Sequence, residues 1–452
     1  MSGTFDRKGV RVRIAIVGTG ISGLYAARQL APRCDLTLFE AQSHPGGHSN
    51  TVEVAMDGHR LAIDTGFIVF NEKTYPRFTA LLQDLGVTSQ PSDMSFSFRC
   101  GDSGLEYRGD NTFDAIFAQR RNALRPTFYR MIRDILRFNG MAEALVAADP
   151  SVTLGDFLAA NGFSGPMVED YLLPMAGAIW SAEPARILAF PASQFGRFCR
   201  NHGLLQVEGR PQWRTVTGGS REYVRALLRP IRDRLLLDTP VEWVQRHADR
   251  VVVKARGRPA ADYDQVIFAC HSDQALALLR DPTDAEREVL GAITWQDNDA
   301  VLHTDTRRLP RRRRAWAAWN YHRDPASAPG RVSVTYDLTR LQSLPTRRQF
   351  LLTLNDDNTV DPRSILHRQT YSHPVFDAAA LRAQDRHAEI SGAHRTWYCG
   401  AYWGYGFHED GVRSAIAVCN ALEKGRIPPL APDAAATDHE AADAQLYLSG
   451  TR

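Results

Sequence analysis

The chain has 452 residues and a mass of 50.4 kDa, with 44% hydrophobic and 23% charged residues. That composition excludes a disordered, collagen-like or disulfide-scaffold protein and leaves room for two or three structural units. The net charge of +3 gives no bulk footprint for nucleic acid. Of the 54 basic residues, only Lys8, Lys73, Lys254 and Lys424 are lysine, so a step needing an amine has four candidates.

Residues Met1 to Lys8 contain no apolar signal core, and no apolar run approaches the length of a spanning helix. The six cysteines are scattered without a C-x-x-C pair, which disfavours disulfides and metal. A reducing cytoplasm is the expected compartment.

Arg11 to Val17 ends in Ile14-Ala15-Ile16-Val17, a buried parallel strand by pattern. Gly18-Thr19-Gly20-Ile21-Ser22-Gly23 follows, then a helix from Leu24 to Leu30. A second strand, Leu36 to Phe39, ends at Glu40. In this arrangement Gly18 makes the turn and Gly20 lets a diphosphate approach backbone N–H groups. Gly23 lets helix and strand pack closely. Ile21 and Ser22 open the helix, whose N-terminus faces the diphosphate. Glu40, followed by Ala41, accepts the ribose hydroxyls. Strand, glycine turn, helix, strand and acid together predict a dinucleotide site. Gly46-Gly47-His48 suits a loop passing over the diphosphate and ribityl chain. Asp64-Thr65-Gly66-Phe67 adds a further small-residue turn.

Helices are expected from Thr74 to Leu85 and from Phe113 to about Ala148. Thr217-Gly218-Gly219-Ser220 precedes another, Arg221 to Leu228. Asp238 to Val244 with Arg250 to Ala255 reads as a hairpin, and Tyr263 to His271 as strand and turn. Ala300 to Thr304, Arg331 to Tyr336 and Phe350 to Leu354 alternate as in a half-exposed antiparallel sheet. Near the end, Trp397 to Gly400 is a short strand. After the aromatic loop Ala401 to His408, Glu409-Asp410-Gly411 opens a helix to about Leu422. Residues 431–452 read as a mobile tail.

From these motifs the chain resembles the FAD-dependent amine oxidase and phytoene desaturase superfamily. The family pattern E-x-x-x-R-x-G-G-R is matched by Glu40, Gly46 and Gly47, with His44 and His48 in place of the arginines. The resemblance implies an α/β plus α+β chain. A discontinuous Rossmann-like FAD-binding domain (10–75, 200–275 and 396–427) would carry an inserted substrate domain of helices and a mixed or antiparallel sheet (76–199 and 276–395). It implies non-covalent FAD, with the Val241 backbone at adenine. Gly400, Phe407, His408, Glu409, Gly411 and Val412 would lie at the flavin ring and ribityl chain, where a helix N-terminus stabilises the anionic reduced flavin. Cys399 lies near this motif and reads as buried structure.

Classical amine oxidases of the superfamily carry a lysine near flavin N5. None lies between Lys254 and Lys424 here; Asn298 or Asp299 takes that stretch. A closer resemblance, on Asp64 to Asn71, Trp316 to Tyr321 and Gly406 to Gly411, is to bacterial predicted NAD/FAD-binding flavoproteins often encoded beside cyclopropane fatty acid synthase. It implies an FAD-dependent desaturase, saturase or isomerase taking an apolar or acyl-lipid substrate, with no resident metal. Asn298, Tyr402 and His408 are the polar candidates at the ring. A flavin amine oxidase and a non-catalytic flavin-binding partner of a lipid-modifying enzyme are the alternatives. Arg130, Arg133 and Arg137, and the run Arg311 to Arg314, suit either peripheral contact with an anionic inner membrane face or a solvated surface. Trp316, Trp319 and Tyr321 read as tunnel wall or sheet packing.

Overall fold

The computed structural model describes residues 11–109, 112–180, 183–205, 209, 211–323, 333–356 and 358–424. The expected tail, the end of the 396–427 segment and the start of the strand at Arg331 lie outside the described residues.

The apolar run Arg13–Val17 forms the central strand of a five-stranded parallel sheet. Asp35–Phe39 and Gln265–Phe268 flank it, with Leu235–Leu236 and Thr396–Tyr398 at the edges. Alternate residues serve two cores, which is why the strand is apolar throughout. Ile14 and Ile16 pack with Leu24, Phe78, Leu81, Val224, Leu227 and Val418 from the helices Ile21–Leu30, Pro76–Leu85, Arg221–Leu228 and His408–Lys424. Ala15 and Val17 face Val244, Val253, Ala275 and Leu290. These come from the antiparallel meander Val241–Arg246, Val251–Ala255, Ala261–Tyr263 and the helices beside it. Pro76–Leu85, at the start of the expected substrate segment, therefore packs on the nucleotide side.

The second sheet has seven strands in the order Ile365–Pro374, Trp295–His303, Leu351–Leu354, Ser333–Asp337, Trp319–Arg323, Phe96–Cys100, Glu106–Gly109. It is mixed, because Trp319–Arg323 runs parallel to Phe96–Cys100 while the other pairs are antiparallel. The expected half-exposed alternation does not hold in its centre: Leu351–Leu354 and Ser333–Asp337 are buried throughout. One face packs Phe98, Leu302 and Leu352 in a core shared with Phe128, Met131 and Phe195 of the helical segment. The other is closed by a polar network in which the Thr353 hydroxyl bonds His303 Nε2 at 2.7 Å and the Thr335 hydroxyl at 2.8 Å.

The long helix expected from Phe113 is broken. It begins as Phe113–Ile116, passes through a short 3-10 turn at Arg120–Leu124, and restarts as Pro126–Gly140 and Ala142–Val146. Pro126 sits in the first helical turn and Arg125 is extended, as the residue before proline prefers. Trp319 and Tyr321 divide the two expected roles. Tyr321 stacks on Phe98 inside the sheet at 5.9 Å, whereas Trp319 reaches a cavity wall. Trp316 instead donates its indole N–H to the Pro310 carbonyl.

The nucleotide end depends on backbone contact. Gly18 has φ of +100°, and a Cβ on Gly23 would lie 2.1 Å from the Gly18 carbonyl oxygen. Gly23→Ala is expected to lower unfolding stability by about 2–3 kcal/mol, as overpacking does. Urea titration of both proteins checks this, and an unchanged midpoint contradicts the contact.

Candidate functional site

A cavity of about 560 Å³ lies between the two sheets, within the usual range for small-molecule sites. Gly18, Gly20, Ile21, Ser22, Glu40, Ala41, Gly46, Gly47 and His48 line one part. Thr65, Gly66, Phe67, Gly400, Tyr402, Phe407 and His408 line another. A third part is apolar and includes Ile68, Val69, Met94, Phe198, Leu204, Trp319, Leu352 and Leu354.

The first part fits an FAD diphosphate and ribose. Helix Ile21–Leu30 starts at Gly20 with no side-chain cap and no acid in its first turn, so its positive end stays uncompensated. A Cβ on Gly20 would touch nothing within 4 Å, which leaves the N–H groups approachable. Glu40 is 8% exposed. Its carboxylate accepts the Thr19 N–H at 3.0 Å, the Thr19 hydroxyl, and the Gln42 N–H at 3.0 Å. It retains lone pairs for ribose hydroxyls.

Several expected cofactor contacts lie outside the wall. Gly23 is in the helix–strand contact described above. Val241 is buried in the meander core with Val17 and Phe39. The Glu409 carboxylate accepts the N–H groups of Arg77 and Phe78 and pairs with the Arg77 guanidinium at 3.0 Å, so it caps helix Pro76–Leu85. A Cβ on Gly411 would meet Ile21 Cγ2 at 2.7 Å; this glycine lets helix His408–Lys424 cross helix Ile21–Leu30, and Val412 is buried in their core.

The three polar candidates separate. Tyr402 lines the cavity, edge-on to Trp295 at 5.6 Å, and burial pushes its hydroxyl well above the usual range. His408 lines it too, but its ring stacks on Phe67 at 3.6 Å. Its Nε2 is engaged by the Tyr223 hydroxyl at 2.8 Å and the Ser49 hydroxyl at 3.1 Å. Asn298 is fully buried behind the main wall, in a small adjoining apolar pocket with Ile187, Phe190 and Phe195. It binds His373 Nδ1 at 2.8 Å, and His373 lines both spaces.

Sequence reasoning missed His271, Tyr371 and His373. His271 stacks on Trp295 at 3.7 Å, and Tyr371 holds Asn50 and Thr65 through its hydroxyl. Tyr371 and His373 are two apart on the strand Ile365–Pro374, so they share a face. That spacing was the available signal. Among the described residues, the cavity wall contains no lysine or arginine. Nor do the described residues contain a cluster of three or more His, Cys, Asp or Glu able to hold a metal.

Comparison with known proteins agrees with this geometry. The family model described as flavin containing amine oxidoreductase matches residues 21–315. A Mycobacterium tuberculosis protein bearing the name of a flavin-containing monoamine oxidase, AofH, is 25% identical over 288 residues, 60% of this chain and 59% of that protein. The chain thus spans about 59% of the length of the curated relatives it matches. Cyclohexylamine oxidase from Brevibacterium oxydans superposes with a TM-score of 0.66 at 14% identity, covering 92% of this chain and 99% of that one. The CLA-producing fatty acid isomerase from P. acnes gives 0.64 at 16% identity, covering 91% and 98%. At these identities the superpositions show the fold.

Burial lowers the imidazoles of the site, to about 4 for His48 and His271 and about 3 for His373 and His408; a neighbouring imidazole adds to each shift. Each is neutral in the folded protein at a pH where the unfolded chain is already protonated, so stability falls as pH drops below about 6.5. For His408 the loss is about 2 kcal/mol at pH 5. Melting from pH 7 to 5 should decline less steeply in His408→Phe than in the parent. Equal slopes would contradict the buried neutral ring.

Proposed function

The chain belongs to the flavin containing amine oxidoreductase family, and from that premise we propose that this FAD-dependent oxidoreductase acts by hydride transfer on an unsaturated or modified fatty acyl chain. The observation behind the proposal is the cavity wall: Ile68, Val69, Met94, Phe198, Leu204, Leu352 and Leu354 present hydrocarbon, with no described cation among the wall residues. A methylene chain gains about 0.8 kcal/mol per buried CH₂ against such a wall. The fatty acid isomerase with this fold offers a precedent for an acyl substrate.

Gly20, Ile21 and Ser22 would hold the diphosphate, Glu40 the ribose, and Gly46 to His48, Thr65 to Phe67 and Gly400 the ribityl and ring region. When bound, the flavin supplies the two-electron acceptor. The chain's part is to orient the acyl segment along the apolar wall and exclude water. Non-covalent attachment is supported by two thiols: Cys399 is buried in the core behind the wall, and burial pushes Cys270 up to about 12. The same proposal assigns 10–75, 200–275 and 396–427 to FAD and 76–199 and 276–395 to substrate. The helix Pro76–Leu85 is the nucleotide-side exception.

A second reading, amine oxidation, is favoured by the aromatic corner of Trp295 and Tyr402 and by the amine-oxidising relatives. Anaerobic mixing of the FAD-loaded protein with oleate, linoleate and aliphatic amines separates the readings. Flavin bleaching or a double-bond shift with an acyl probe is expected. Bleaching by amines alone would replace the acyl reading. No reaction with either, at full FAD content, would favour the non-catalytic partner.

An acyl substrate agrees with a membrane-facing surface. Among the described residues, Leu124, Tyr129 and Leu136 are three of the four exposed large hydrophobics, and Leu124 is 85% exposed. They lie on Arg120–Leu124 and Pro126–Gly140 beside Arg120, Arg121, Arg125, Arg130, Arg133 and Arg137, with Asp134 the acid of the segment. Phe128, Met131 and Phe138 face inward and leave this mixed surface outside. No described helix is long and apolar enough to cross a membrane. We propose contact with an anionic bilayer surface through this face. Cosedimentation with phosphatidylglycerol vesicles, weak with phosphatidylcholine and reduced about tenfold by Leu124→Ser with Leu136→Ser, is expected; no binding to either vesicle would remove the contact.

A further inference from the structure

We infer that His373 sets ligand selectivity in the cavity: Asn298 and Asn355 hold its imidazole as the Nε2–H tautomer, a neutral donor that takes an oxygen lone pair and disfavours an alkylammonium. The inference rests on the oxidoreductase reading of the cavity and narrows its substrate class to apolar molecules carrying a hydrogen-bond acceptor.

The tautomer follows from groups whose polarity is not adjustable. The Gln296 backbone carbonyl only accepts, so the Asn298 atom that meets it at 3.1 Å is the amide nitrogen, Nδ2. The same nitrogen lies 2.8 Å from His373 Nδ1. An amide nitrogen only donates, so Nδ1 is an acceptor and the neutral ring carries its proton on Nε2. The far end agrees. Asn355 Oδ1 accepts the Asp299 backbone N–H at 3.2 Å, which leaves Asn355 Nδ2 to donate to Asn298 Oδ1 at 2.9 Å. Turning the Asn298 amide round would set oxygen against the Gln296 carbonyl and NH₂ against NH₂. Asn298 and Asn355 are both buried, where such mismatches are costly.

The strands also place the donor. Gln296 pairs with His373 and Asn298 with Tyr371 across the antiparallel strands Trp295–His303 and Ile365–Pro374. Nδ1 is thereby turned to Asn298, behind the wall, while the rest of the ring borders both the main cavity and the small pocket of Ile187, Phe190 and Phe195. Nε2 lies across the ring from the buried amide and, unlike Nε2 of the neighbouring His48, is not a sealed atom. Its proton is open to a ligand in the space the ring lines.

The charges around this point disfavour a cation. Burial, with the His48 imidazole adding to it, lowers His373 to about 3, so the ring is neutral near pH 7. His48, at a centroid distance of 5.4 Å, and His271 are likewise neutral. The carboxylate of the described cavity wall is Glu40, held at the nucleotide end by Thr19 and Gln42. Asp297, next to Asn298 in sequence, lies on the exposed face of the strand with the Ser372 hydroxyl. Arg186, an exposed residue, lines the small pocket and puts positive charge on that side.

An alkylammonium brings only N–H donors and a charge. At His373 it meets another donor, with no carboxylate beside it, and an unpaired charge in such a place is costly. A ketone, ester or carboxylate oxygen brings the lone pair that Nε2–H lacks, while its hydrocarbon lies along the apolar wall. His373 is the specificity-determining residue. Asn298 and Asn355 are positioning residues that act through it.

The test uses the full chain loaded with FAD and labelled with ¹⁵N-histidine. The signal lost in His373→Gln should report a protonated Nε2 and an acceptor Nδ1. Asn298→Asp replaces the donor with an acceptor and should put a proton on Nδ1. Binding is then compared at pH 7, without oxygen, for three probes of equal chain length: dodecane, 2-dodecanone and dodecylammonium. The ketone should bind about fivefold more tightly than the alkane, the worth of one neutral hydrogen bond, and shift the His373 Nε2 signal. The ammonium should bind no more tightly than the alkane. His373→Leu should erase the ketone's advantage. His373→Gln, whose amide oxygen can face Asn298 while its NH₂ faces the cavity, should keep part of it. A proton on Nδ1 in the parent, an undiminished ketone advantage in His373→Leu, tighter binding of the ammonium than of the ketone, or an Nε2 signal that responds to FAD loading and not to the ketone would each overturn the assignment. If tautomer and binding order hold while no acyl probe is turned over, the acyl oxidoreductase reading falls and the donor at His373 stands.

Discussion

The whole site depends on one uncapped helix end. Helix Ile21–Leu30 reaches the cavity with no acid and no side-chain cap at its first turn. It gets there because two glycine contacts remove side chains from its path: Gly23 against the Gly18 carbonyl, and Gly411 against Ile21. The first presses the helix onto the central strand, and the second lets the final helix cross it. An unmatched helix terminus is tolerable in a folded protein when an anion or water meets it. On the proposed reading, the dinucleotide would be the anion that meets this end of the fold.

Away from that end, electrostatics change character. The chain is rich in arginine, yet the described wall of the cavity has none. Arginines instead pair with acids away from it, at the surface as in Arg348 with Asp57 and Arg386 with Glu389 and in the core as in Arg246 with Glu286, or sit on the outer face of Pro126–Gly140. At the cavity, polarity comes mainly from imidazoles and amides, as in the hydrogen bond between Asn298 and His373. The stretch where a lysine was expected holds Asn298, whose amide donates to the Gln296 carbonyl and to His373.

The nucleotide half of the fold was legible because its signals are local. Strand, turn, helix and acid follow one another within thirty residues, and each glycine has a steric reason that sequence alone suggests. The terminal helix and the helix Arg221–Leu228 were legible for the same reason. What escaped depends on contacts between distant segments. The partners of the Glu409 carboxylate, the N–H groups of Arg77 and Phe78 more than 300 residues earlier, were not legible from its motif. Asn298 was expected at the ring and lies behind His373, and only the pairing of Trp295–His303 with Ile365–Pro374 reveals that order. The helix Phe113 to Ala148 failed at Pro126, a breaker present in the sequence whose weight the surrounding apolar pattern masked.

The strand Ile365–Pro374 lies at the border of its sheet and supplies both Ser372 and His373. The apolar wall comes from other stretches: Ile68 and Val69, Met94, Phe198 and Leu204, and Leu352 and Leu354 of the strand Leu351–Leu354. The polar and apolar parts of the cavity are therefore encoded in separate stretches of chain. Exchange of residues along the wall can lengthen, shorten or bend the space for a new molecule without moving the His373 imidazole. On the proposed reading, a site divided in this way would let the substrate change while the polar strand stays as it is.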